Sequence, residues 1–376
     1  MQSNAFLERR EQFKQHLASR GIPLAMISDP RHVYYFTGFQ TLNPRVATLL
    51  FLPVSSDSVL LVGSTEAMRA EEVFREELLT FKDYDVSEHM VVYPELMAEQ
   101  LKKNAPDLRR KSDGKFGIES WHLPTVLSEA AKQSFSASMV DVSKDIYSMR
   151  FVKSTDEVEK VKEGCGFVDE AYRVIRPLMQ EGMTEISICA TVQEALFRQT
   201  GRTQLVLGDY ISGERTVEIS GSPTKRELRR GDTMIVDLQT MCDQYWADSA
   251  RTFTIGKPNQ HQIRVWSVLI EARKAVELVL KPGTLARDVY KVACSVINRA
   301  GYGDFFPHHV GHGIGLESQE APFFLANSTE QLKDGVVCAI EPGIYDKSIG
   351  GIRIEDDYLI TKDGFERLSL FPLELN

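Results

Sequence analysis

The sequence predicts an α+β protein of two domains, a smaller α/β domain followed by a larger one with a largely antiparallel sheet. Three observations carry this. The chain has 376 residues, more than one hydrophobic core usually organises. The first part alternates helical and strand patterns. The second groups amphipathic helices beside hairpin-like strands, each strand with an acid set among apolar residues.

Taken in order, "AFLERREQFKQHLASRG" is an amphipathic helix ending at Gly21, "IPLAMIS" is a strand, and Asp29-Pro30 marks a turn. "ATLLFLPV" and "DSVLLVG" are neighbouring strands joined by a polar turn. "TEAMRAEEVFREEL" reads as helix, "KFGIES" as strand and "LPTVLSEAAKQSF" as helix. The expected division is into residues 1–148 and 149–376, within Asp145–Lys153. Beyond it, Ser154 and Glu157 form a capping box. Val158, Val161, Cys165, Val168, Tyr172 and Ile175 then recur in steps of three and four, one buried helical face that Pro177 interrupts. Further helices are expected from about Gln262 to Leu280 and from about Leu285 to Ala300. The strands are "TMIVDLQT", "YWADSARTFTI", "VVCAIEPGIY" and "GIRIEDDYLIT".

Composition narrows the function. Net charge is −9, with −7 of it after residue 150, which disfavours a nucleic-acid partner and is compatible with bound cations. There is no GxGxxG and no GxxxxGK[ST], so a nucleotide site has no support. No apolar run approaches a membrane span and the charged N-terminus has no secretory h-region, so a cytoplasmic location is expected. Five cysteines without a CxxC pair read as small buried hydrophobes.

The acids carry the chemistry. Asp237 ends "MIVD", Asp248 follows "YWA", Glu341 follows "VVCAI" and Glu355 follows "GIRI". Singly, each reads as a solvated or salt-bridged side chain, and Arg353 offers Glu355 or Asp357 an ion-pair partner. Jointly they are harder to dismiss, because an unpaired buried carboxylate costs several kcal/mol. Two hairpins would converge all four, and His312 in "GHGIG" projects from a close-packed backbone. Four carboxylates and an imidazole suit two divalent ions with a bridging hydroxide, which lower the pKa of water and polarise a carbonyl.

Asp237, Asp248, "GHGIGLE", "IEPGIY" and "GIRIEDDYLIT", in this order, resemble the creatinase / aminopeptidase P / prolidase (M24) family with the pita-bread fold. "SGSPTKRELRRGD" and "ADSARTF" support it; "DPRHVYYFTGF" is similar to the family's N-terminal domain and "MRFVKSTDEVEKVK" to the start of its catalytic domain. The resemblance implies a dinuclear centre, commonly manganese or cobalt, on Asp237, Asp248, His312, Glu341 and Glu355. Asp248 and Glu355 would bridge the ions, Glu341 would also be the general base, and His308 would lie near the substrate. His309 beside it reads as structural. Zinc or iron would also fit such ligands, and availability decides among them.

Two departures alter the expected substrate subsites. The proline-specific peptidases carry a histidine where this chain has Ser220 in "SGSPT", and another, seven residues past the ligand histidine, where it has Gln319. Both can donate hydrogen bonds, but neither can be a cation or proton shuttle near neutral pH. Gln239 and Gln244 stand where the family often has glycine. Arg353 and Arg45 complete the candidate substrate-binding residues with Ser220 and Gln319; in creatinase-like homodimers an arginine near Arg45 reaches the partner's site.

The expected activity is metal-dependent hydrolysis of a peptide-like C–N bond, nearest to Xaa-Pro dipeptidase or aminopeptidase P, on short substrates in a homodimer. The rival is a small amide, amidine or cyclic amino-acid derivative, as in the creatinase and ectoine-hydrolase branches. A non-catalytic binding protein is the third reading, and the complete ligand set opposes it.

Overall fold

The structure, a computed structural model, describes residues 4–42, 48–83, 97–104, 114–135, 137–348 and 350–375. The chain divides into two compact units, Met1–Met149 and Arg150–Asn376.

The first unit holds a six-stranded mixed sheet in the order Glu77–Phe81, Val59–Gly63, Leu49–Pro53, Leu24–Ile27, Lys115–Ile118, Ser138–Asp141. The strands Leu24–Ile27, Leu49–Pro53 and Val59–Gly63 are buried at every residue. They are therefore apolar runs rather than alternating ones, as strands covered on both faces must be. The helix expected over "TEAMRAEEVFREEL" is shorter, reduced to Ala67–Val73 after a 3₁₀ turn. Glu77–Phe81 instead pairs in parallel with Val59–Gly63, so sheet pairing overrides the helical pattern.

In the second unit every strand pairing is antiparallel. The helix Thr155–Ile175 begins at the Ser154 capping box and buries the expected face, from Val158 through Ile175. It presses on the hairpin of Thr233–Cys242 and Tyr245–Thr254: a Cβ added at Gly164 would meet the Ala247 Cβ at 2.9 Å. The Tyr172 hydroxyl lies 2.5 Å from Ser249 O and 3.1 Å from Val236 O, tying the helix to both strands. Helices Gln260–Glu277 and Ala286–Arg299 lie close to their expected bounds.

The sequence pattern did not reveal the helix Glu185–Thr200, the strand Val206–Ser212, which pairs with Thr233–Cys242, or the short strands Gly311–Gly313, Glu320–Phe323 and Gly364–Arg367. Two expected strands are also broken. "VVCAIEPGIY" forms Val337–Ile340 and Gly343–Asp346, and "GIRIEDDYLIT" forms Gly350–Arg353 and Asp356–Thr361. Both breaks fall at the same level, Glu341-Pro342 facing Ile354-Glu355, and Pro342 has no N–H to extend a ladder.

Candidate metal centre

Each ligand candidate is delivered by a different local device. Asp237 and Asp248 lie on the hairpin, where Gln239 pairs with Asp248, so strand alternation turns both acids to one face. The turn holds Asp243 and Gln244 at φ 43° and 71°; at Gln244 glycine would be the less strained residue. His312 lies on the short strand Gly311–Gly313. A Cβ at Gly311 would stand 2.1 Å from Ala339 O, so only glycine admits this approach. Glu341 and Glu355 sit at the two strand breaks. Their backbone N–H groups donate away from the local hairpin, to Val310 O at 2.7 Å and Ala250 O at 3.0 Å.

The five side chains converge. Ligand atoms of Asp248, His312 and Glu355 all lie within 4.8 Å of one another. Asp237 and Asp248 lie close enough for their carboxyls to act on each other. Glu341 Oε1 lies 3.5 Å and Asp248 Oδ2 3.9 Å from His312 Nε2. The His312 tautomer follows from its surroundings: Nδ1–H donates to Gly313 O at 3.0 Å, which leaves the Nε2 lone pair facing the carboxylates.

Electrostatics show what the cluster lacks. Burial pushes the carboxyls of Asp248 and Glu355 well above the usual range, and neighbouring acids add to it. Glu341 rises to about 8, chiefly by burial. Burial lowers His312 to about 4, so its ring is neutral near pH 7. Asp237 Oδ1, Asp248 Oδ1 and Glu355 Oε2 are buried without a hydrogen-bond partner. These orphaned oxygens beside a neutral imidazole are a donor set that divalent cations fit, with metal taking the place of retained protons.

Further groups orient the ligands. Arg353 Nη2 lies 2.6 Å from Asp237 Oδ2 and 3.2 Å from Asp209 Oδ2. The ion pair expected between Arg353 and Glu355 or Asp357 is therefore corrected, because strand pairing aims the guanidinium at Asp237 and Asp209. Nη1 donates to Ile219 O at 3.0 Å and to the Tyr345 hydroxyl at 3.2 Å. Asp357 accepts from the Asp248 N–H at 2.8 Å, and Gln239 Nε2 donates to Asp248 Oδ2 at 2.7 Å.

A cavity of about 330 Å³ opens beside the ligands. Ser220, Gln319, His308, Asp237, Glu341 and Arg353 all border it. His308 is neutral, lowered to about 4 by burial; its Nδ1–H donates to His309 O at 2.7 Å and Nε2 faces the Tyr345 hydroxyl at 2.9 Å. His309 lines the cavity as well, with Nδ1 3.2 Å from Glu341 Oε1. Asp209 and Gln239 border the cavity too; Asp209 was missed because its strand was. The candidate Arg45 falls in 43–47, outside the described residues.

A chelating cluster of this kind, at the breaks of an antiparallel sheet and open to a polar cavity, defines a metal-dependent hydrolase. The model of metallopeptidase family M24 matches residues 159–362, and that of the creatinase/prolidase N-terminal domain matches residues 9–152. The Xaa-Pro dipeptidase of Pyrococcus furiosus is 31% identical over 98% of this chain and 99% of its own. The solved prolidase from Pyrococcus horikoshii matches with TM-score 0.84 at 28% identity, over 98% of this chain and all of the other. The X-Pro aminopeptidase from Thermotoga maritima matches with TM-score 0.85 at 25% identity, over 97% and 98%. The chain belongs to metallopeptidase family M24, with a creatinase-type N-terminal domain and the pita-bread catalytic fold.

Proposed function

We propose that this metallopeptidase hydrolyses the C–N bond of short Xaa-Pro-type peptides, in the manner named for its dipeptidase and aminopeptidase relatives. The observation that carries the reading is the set of orphaned carboxylate oxygens on Asp237, Asp248 and Glu355 around neutral His312. Asp237, Asp248, His312, Glu341 and Glu355 would hold two divalent ions, with manganese the foremost candidate. Such ions supply Lewis acidity toward a carbonyl oxygen and toward a water.

The remaining steps belong to the chain. Glu341 takes the proton of the attacking water and returns it to the leaving nitrogen. Arg353 holds Asp237 in its ligand orientation across 2.6 Å. Gln319 and Ser220 offer an N–H and an O–H to the substrate from the cavity wall. His308, fixed by Tyr345, presents a neutral ring beside the same space. A division at residues 148/149, a homodimer and a cytoplasmic location belong to the same reading.

The test is a substrate panel on protein stripped of metal and reloaded with manganese. Ala-Pro and Ala-Pro-Ala should be cleaved, cleavage should vanish with chelator, and manganese should restore it. The small-amide alternative is favoured by one feature, the replacement of two expected histidines by Ser220 and Gln319 in a polar cavity. Creatine-like and ectoine-like compounds belong in the panel, and turnover of these alone would replace the peptide reading.

A further inference from the structure

Asp209 is the cavity carboxylate that metal binding leaves over. It stands directly opposite Asp237 across the paired strands Val206–Ser212 and Thr233–Cys242. Like charges so placed repel. Arg353 Nη2 relieves the repulsion unequally, 2.6 Å from Asp237 and 3.2 Å from Asp209.

The two oxygens of Asp209 do different things. Oδ1 accepts from Ser220 Oγ at 3.0 Å and from Gly221 N at 2.8 Å. These bonds hold the wall beside Ile219, where φ 71° and a Ser220 N–H to Glu218 O bond of 2.8 Å make a strained γ-turn. Oδ2 has the longer Arg353 contact. The Asp209 side chain is 21% exposed, against 15% for Asp237 and 10% for Glu341. Among the described residues lining the cavity, Ile219 is the single apolar side chain and Arg353 the single permanent cation.

Exposure then singles Asp209 out. Two divalent ions would occupy the ligand carboxylates, which leaves Asp209, shared with Arg353 at 3.2 Å, as the cavity carboxylate with the most accessible edge. A wall of this composition offers little to an apolar ring, but it offers a carboxylate edge to a cation. We propose that Asp209 is a specificity-determining residue whose Oδ2 edge accepts hydrogen bonds from a cationic nitrogen of a substrate side chain, an ammonium or guanidinium. The proposal rests on the hydrolase reading and adds to it a preference for substrates with a basic side chain.

Free lysine and norleucine, matched in size and differing in the terminal ammonium, are the probes. Their binding to the full, manganese-loaded chain is measured by calorimetry. Lysine should bind about tenfold tighter, as a charge-assisted hydrogen bond provides, and added salt should shrink the difference. Asp209→Asn should bring the ratio toward one, while Asp209→Glu and Ser220→Ala should retain it. Equal affinities, no measurable lysine binding, or a ratio unchanged in Asp209→Asn would overturn the proposal. So would a loss in Ser220→Ala as complete as in Asp209→Asn, because the shape of the wall would then be responsible. Turnover of Ala-Pro, Ala-Lys and Ala-norleucine is followed in parallel. Cleavage without a charge preference would remove the subsite and keep the hydrolase; a lysine preference without any cleavage would do the reverse.

Discussion

Among the described residues, two places bury the same three residue types within chelating distance. Asp29, His32 and Glu119 do so in the N-terminal unit, and Asp248, His312 and Glu355 in the C-terminal one; in both, ligand atoms lie within 4.8 Å of one another. They differ in what else reaches them. Glu119 Oε2 accepts from the N–H groups of Ser28 and Asp29 at 3.0 and 2.9 Å, and Oε1 meets His32 Nδ1. Asp29 caps the helix Pro30–Thr37 and takes Arg31 on both oxygens. Burial there works against the charge, but the Arg31 bonds outweigh it and hold the carboxyl at about 2. In the other cluster Asp248 Oδ1 and Glu355 Oε2 have no hydrogen-bond partner, and burial drives both carboxyls well above their usual range. Residue type and proximity are equal; satisfaction is not, and an unsatisfied buried carboxylate is what a cation completes.

The largest effect expected from this difference is on turnover. Glu341→Gln should cut kcat of the manganese-loaded enzyme about 10²–10⁴-fold, as loss of a general base does; a rate within a few-fold of wild type would remove Glu341 from that role. Metal stoichiometry comes next. By elemental assay the wild type should hold two ions per chain, Asp248→Asn and Glu355→Gln should hold fewer, and Glu119→Gln should hold as many as wild type. A loss confined to Glu119→Gln would invert the comparison.

Stability gives the third test. Glu119→Ala strands two backbone donors and His32, which should cost about 3 kcal/mol in denaturant unfolding with metal content intact. A variant as stable as wild type would mean the N-terminal cluster is not held by Glu119.

The smallest expected effect is a pH slope in metal-free protein. Glu341 and Asp357 are both raised to about 8, mainly by burial. Between about pH 6.5 and 8 the folded chain keeps protons that the unfolded chain has released. Stability should therefore fall as pH rises, by about 2 kcal/mol per pH unit, because each protonated acid contributes up to about 1.4. His308 and His312, lowered to about 4, oppose the fall at the low end of this window and reach their full contribution about one unit above the unfolded pKa of 6.5. Excess manganese should abolish or reverse the fall, since metal affinity grows as ligands deprotonate. A flat metal-free profile would mean the acids are not held protonated.

Much of this was legible in the chain itself. The Thr155–Ile175 helix followed from the Ser154 and Glu157 spacing and its apolar steps, because helical periodicity is a local property. Four of the five ligand candidates were legible because acids placed inside apolar runs contradict the run, and His312 because glycines flank it in "GHGIG". Strand breaks at Glu341-Pro342 and Ile354-Glu355 were not, since nothing local says where one antiparallel pair yields to the next. The approach of His309 to Glu341 was not legible for the same reason: it depends on a neighbour 32 positions away.

By itself, then, the sequence determined which side chains could chelate and the order in which they arrive, since residue type and period are written locally. Tertiary structure alone decided that Asp209 stands opposite Asp237, that Arg353 serves both, and that one Asp–His–Glu cluster is saturated by backbone donors and Arg31 while the other is left open. Satisfaction is the reason: it is a sum over every donor within about 3 Å, and those donors come from chain positions that no local pattern connects.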